Sequence, residues 1–144
     1  MQVKKILFPV DFTSASARIV PAVKEMMAKF GASVDLVHVV RGSDEFAGFE
    51  MGAAWYTTLE KDLLAGAEKA MDRFVDENFD GEDVTARVMV GNVVDEIIEF
   101  SEKNGTDMII IGTHGRKGLE KMMFGSVAEG VVKKAACPVL TIRP

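Results

Sequence analysis

Three glycines and a serine are spaced as a phosphate site needs them. Gly112 and Gly115 are separated by two residues, and nine more lead to Gly125 and Ser126. The apolar run Met108-Ile109-Ile110-Ile111 leads in, and a helical pattern from Val127 leads out. Glycine has no Cβ, so phosphate oxygens can come close to the backbone N–H groups. A helix start adds unpaired N–H groups and the positive end of its dipole. Together these make an anion cradle. Arg116 and Lys117 could offset phosphate charge, or could simply be solvated. The loop lacks the Gly-Lys-Ser/Thr end of a Walker A motif. Its glycine spacing is also wrong for a dinucleotide fingerprint. The competing reading is that the glycines only shape a surface loop.

The elements that must position this loop can be read in order. Val3 to Val10 reads as a strand, continuous and apolar at Ile6-Leu7-Phe8, as for a parallel strand covered on both faces. It ends at Pro9-Val10-Asp11, which places Asp11 at a carboxyl edge, where open α/β sheets bind ligands. Asp11 either faces that pocket or caps the next helix, and both roles are compatible. Thr13 or Ser14 can cap a helix running to about Phe30, with Val20, Val23, Met27 and Phe30 on one face. Pro21 predicts a kink or a late start. Val34 to Val40 reads as a second strand, on which His38 is expected to be a satisfied core histidine rather than a catalyst. Arg41 to Trp55 is the least regular stretch, either a loop folded on the core or a lid or partner surface. A long helix follows from Thr57 to about Phe79, with Leu63, Ala67, Ala70 and Phe74 as its stripe.

Val84 to Val90 alternates as a half-covered or edge strand does. Asn92 is placed to cap a helix to about Lys103. Met108 to Ile111 is the strand into the glycine loop, within which Leu119, Met122 and Met123 suit a short helical turn. Ser126 to Ala136 reads as the last helix, with Val127, Val131, Val132 and Ala135 inward. Val139 to Ile142 reads as the last strand. The single cysteine, Cys137, reads as a small buried residue and excludes an internal disulfide.

Composition bounds the function. The 144 residues, 48% of them hydrophobic, suit one packed domain over residues 1–144. A formal charge of −5 argues against nucleic acid as the main partner. No apolar run approaches the roughly 20 residues of a membrane span. The N-terminal stretch lacks the pattern of a signal peptide. Together these make a cytoplasmic location the expectation.

The glycine–serine spacing is that of the nucleotide-binding branch of the universal stress protein family, which the sequence resembles along its length. The resemblance implies an open parallel five-stranded α/β sheet of the adenine nucleotide alpha hydrolase-like type, strand order 3-2-1-4-5, with helices on both faces. It implies that ATP lies at the carboxyl edge. The Val39 backbone would hold adenine, and Asp11 would contact base or ribose, with Pro9, Val10 and Ile111 around them. Gly91, with Asn92 beside it, would pass along the adenosine. Gly112, Gly115, Gly125 and Ser126 would hold the phosphates, helped by the Val127 amide, with Arg116 a candidate contact on its charge alone. The family often has a hydroxyl residue where this chain has Ala128, so one phosphate contact is expected to be missing. Mg2+ would be held mainly by the phosphates, and a homodimer would form through the last strand. The implied function is an ATP-dependent regulatory stress-response protein without a catalytic residue set. The alternatives are a slow ATPase or phosphotransferase, for which His114 is the candidate base, and a dimeric interaction protein with a vestigial pocket.

Overall fold

Three consecutive residues set the layers. In β1 (Lys5–Pro9), Ile6 and Phe8 turn to one face of the sheet and Leu7 to the other, and all three are fully buried. A strand covered on both faces needs helices on both faces. The computed structural model describes residues 1–42, 53–114 and 125–144. Among these, α1 (Ser14–Phe30), β2 (Ser33–Arg41), α2 (Ala53–Asn78), β3 (Val84–Gly91) and α3 (Val93–Lys103) follow β1. Then come β4 (Met108–Gly112), α4 (Ser126–Lys134) and β5 (Val139–Ile142). The five strands are parallel in the order β3-β2-β1-β4-β5.

One face of the sheet is covered by α1, through Ile19, Val20, Val23 and Met27, by α2, through Met71 and Phe74, and by Phe79, the residue after α2. Phe8 meets Phe74 and Phe79 edge-on, each at 6.4 Å between ring centroids. The other face is covered by α3, through Ile97 and Phe100, and by α4, through Ala128 and Val131. Full burial of such side chains stabilises by about 1.5–3 kcal/mol each. A Cβ on Gly130 would stand 2.8 Å from Val94 Cγ2, so the glycine lets α4 lie close on α3.

The sequence reading needs corrections at the ends of elements. Pro21 causes no late start, because α1 begins at Ser14 and contains it. Pro21 and Ala17, whose carbonyl loses its helical donor, are both exposed, so water can supply the missing bond. The second strand continues to Arg41, and α2 begins at Ala53, so Trp55 is helical. Phe46, Phe49 and Met51 lie outside the described residues, as do Leu119, Met122 and Met123. Phe30, Leu63 and Val132, assigned to apolar stripes, are 39%, 42% and 46% exposed. Asn92 caps α3 as its type suggests, its Oδ1 accepting from Asp95 N at 3.1 Å.

Candidate functional site

Strands β1 and β4 are neighbours for only part of their length. They pair at Ile6 with Met108 and at Leu7 with Ile109. Beyond that point each turns its hydrogen bonds to its outer neighbour. Pro9 pairs with Val37, and Val10 N donates to Val37 O at 2.8 Å. On the other side Gly112 pairs with Ile142, and Thr113 N donates to Ile142 O at 2.9 Å. The strands therefore part at their carboxyl ends, where α1 leaves to one face and α4 reaches the other. A sheet whose winding reverses in this way opens a ligand crevice at that edge.

Pro9, Val10 and Asp11 form one bank. The Val10 carbonyl accepts from His38 Nδ1 at 2.7 Å. A carbonyl can only accept, so Nδ1 carries the proton, and His38 is the satisfied histidine its strand position suggested. Phe12 follows in the left-handed region at φ 63°, unusual for a bulky residue. Its ring lies 4.3 Å from that of His38 and 6.3 Å from that of Phe74. This reversal folds the chain back on Asp11. Oδ1 of Asp11 accepts from Thr13 N at 3.0 Å, Thr13 Oγ1 at 2.5 Å and Ser16 Oγ at 2.8 Å. Thr13 holds the cap position of α1, but its hydroxyl serves Asp11 and caps nothing. Asp11 thus shapes the turn from within.

Ile111, Gly112, Thr113 and His114 lead the other bank, which resumes at Gly125. Gly125 N donates to Thr113 O at 2.6 Å. A Cβ on Gly125 would stand 2.9 Å from that carbonyl oxygen, so close chain approach alone already demands glycine there. Gly112 is different. A Cβ there would meet His114 O at 3.5 Å and Ile19 Cδ1 at 3.6 Å, ordinary contacts among the described residues. Its φ is not in the left-handed region either. No described neighbour forbids a side chain at the head of the crevice. Ser126 opens α4 and is exposed, with Val127 half-buried and Ala128 buried behind it. A first turn of helix has no intrahelical acceptors for its N–H groups. Gly115 and Arg116 lie outside the described residues.

His114 Nδ1 lies 2.8 Å from Thr113 Oγ1, while Nε2 is buried without a partner among the described residues. Val39 is buried near the end of β2, the strand beside β1. Gly91 ends β3, opposite Arg41, and lies roughly 10 Å from β1 at ordinary strand spacing. Its φ is 154°, and a Cβ there would stand 2.6 Å from Glu96 Oε1. The positive φ by itself favours glycine at this position, since the Glu96 side chain that lies over it is long enough to swing aside. Away from this edge, burial pushes the Cys137 thiol up from its ordinary range, which suits a structural residue. Among the described residues no group of His, Cys, Asp or Glu could hold a metal ion.

Sequence reading missed Ser16, Phe12 and Glu96. The available signal was Asp11-x-Thr13, an Asx-turn pattern, with Ser16 one turn further on. Nothing in periodicity marks Ser16, a polar residue within an apolar face.

The comparisons with known proteins agree with this architecture. The chain is 34% identical over 142 residues to universal stress protein MJ0531 of Methanocaldococcus jannaschii, covering 97% of this chain and 82% of that one. The solved structure of MJ0577 from the same organism superposes with a TM-score of 0.86 at 30% identity, covering 100% of this chain and 98% of that one. The universal stress protein from Archaeoglobus fulgidus, solved in complex with dAMP, shares the fold at a TM-score of 0.62 and 24% identity, covering 99% and 100%. The family model for the universal stress protein family matches residues 2–143, and the chain belongs to that family.

Proposed function

We propose that this chain binds ATP in the crevice between β1 and β4 and acts as a nucleotide-dependent regulatory protein. One observation carries the reading. The strands part where the winding reverses, and Gly112 stands at the head of the gap with no described neighbour that requires glycine. A phosphate approaching the backbone would require it. The start of α4 supplies donors through Ser126 and Val127, and Gly125 pins that start to Thr113, the residue after β4. The complex of the Archaeoglobus fulgidus protein with dAMP lends support through a shared fold.

In this reading the phosphates lie against Gly112 and the start of α4, with Gly115 and Arg116 completing the loop. The nucleoside lies over Pro9, Val10 and Asp11, toward the Val39 backbone and Gly91. Mg2+ would neutralise phosphate charge, with the phosphates as its main ligands. The described banks bring no carboxylate to His114. Fast hydrolysis needs an oriented water and a group to hold it. We therefore assign ATP the role of a conformational signal, turned over slowly or not at all. The same proposal includes a homodimer through β5 and a cytoplasmic location.

The test has two parts. The purified protein should carry or take up ATP, read by mass spectrometry of bound nucleotide and by calorimetry. Steady-state phosphate release should fall well below the ordinary enzyme range of about 1–10³ s⁻¹. A rate inside that range, lost in His114→Ala with binding intact, would make the protein an ATPase.

A further inference from the structure

Ser16 lies in the first turn of α1 and is only 7% exposed, a buried polar residue on the face that carries Ile19, Val20 and Val23. Its hydroxyl both gives and takes. It donates to Asp11 Oδ1 at 2.8 Å and accepts from Asp11 N at 3.1 Å. With the two donors from Thr13, three hydrogen bonds converge on Oδ1. Asp11 is half-buried, and its Oδ2 has no hydrogen bond to any described residue. The carboxylate is thus held by one oxygen and presents the other at the carboxyl end of β1. A carboxylate only accepts hydrogen bonds, and it repels phosphate. The ligand part that suits it is neutral and carries an O–H or N–H donor, as a ribose hydroxyl or an adenine amino group does.

We infer that Ser16 is a positioning residue of the nucleotide pocket, acting through Asp11 to aim Oδ2 at the nucleoside. This rests on the nucleotide reading. Without Ser16 the carboxylate loses one of its three Oδ1 donors, and Asp11 N loses its acceptor. The side chain is then free to turn about its own bonds.

The test is a double-mutant cycle read by calorimetry of Mg–ATP binding to the full chain, using Ser16→Ala, Asp11→Ala and both together. Ser16→Ala should weaken ATP about fivefold or more. In the Asp11→Ala background the same change should cost nothing further, because its target is gone. A role in general stability alone would not produce that non-additivity. Melting curves establish that each variant is folded. If Ser16→Ala does not fold, Ser16→Cys keeps the volume and substitutes a weak donor. It should then show the loss with Asp11 present and none in its absence. ATP affinity unchanged by either Ser16 variant, or equal losses with and without Asp11, overturns the inference while leaving the nucleotide reading intact. No ATP binding by the parent chain overturns both.

Discussion

Gly112 and Gly125 share a residue type and answer to different neighbours. Gly125 is pressed against the Thr113 carbonyl, whereas Gly112 has ordinary room for a Cβ among the described residues. Alanine should separate the two. Gly112→Ala is expected to melt within the range of a neutral surface change, about ±0.5 kcal/mol, yet to lose at least tenfold in ATP affinity, about 1.4 kcal/mol. Gly125→Ala is expected to lose about 1–3 kcal/mol of stability, the usual cost of overpacking, whether or not nucleotide is present. Denaturant melts with and without ATP measure both. Equal behaviour of the two variants would remove the distinction between a ligand-imposed and a chain-imposed glycine. Sequence alone could not draw it, because spacing does not say what each missing side chain would touch. Asp11 teaches the same lesson. Its type and place were legible, but its three-fold use within the β1–α1 turn depended on Phe12 reversing the chain.

The elements hold their register through contacts at both ends of the sheet. At the amino end, Asp107 Oδ2 accepts from Lys4 N at 2.9 Å and Lys5 N at 3.0 Å, and Asp107 N donates to Lys5 O at 2.9 Å. The start of β1 is thereby tied to the start of β4, and the two strands separate only toward the site. The backbone N–H groups of Lys4 and Lys5 hold the Asp107 carboxyl below its ordinary value of 3.8. A carboxylate depressed in the folded state stabilises above its unfolded pKa, and that contribution is lost as pH falls through the folded value. Asp107→Asn should therefore melt below the parent near pH 7, and the gap should close as pH drops below 3.8. The group is exposed, so the gap should be modest. Thermal melts across that pH range decide, and a gap independent of pH would dissociate the clamp from its charge. Most elements were legible from periodicity. Their ends were not, because exposed positions such as Ala17 and Pro21 let solvent replace a missing bond, and tertiary contacts carried β2 on to Arg41.

At the scale of the whole molecule, β5 lies at one edge of the sheet, beyond β4. Its residues Val139, Leu140, Thr141 and Ile142 are each only partly buried. An apolar edge strand tends to be paired or covered, and a twofold mate would do so symmetrically. Light scattering at micromolar concentration is expected to give the dimer mass. Leu140→Pro should shift it to monomer in protein whose circular dichroism and melt remain cooperative. A folded variant that stays dimeric would place the contact elsewhere.

The sequence by itself determined the alternation of strands and helices and the buried character of β1 and β4. It also determined the glycine–serine spacing at the carboxyl edge. These are local properties, written in periodicity and residue type. Family resemblance added the order of the strands, which periodicity does not encode, and the structure has that order. Only the tertiary structure decided where β1 and β4 part, that the Thr113 carbonyl explains Gly125, and that Ser16 clamps Asp11. Each of these depends on a close contact between atoms whose positions are set by the folded chain, and the type of a residue does not state what will stand beside it.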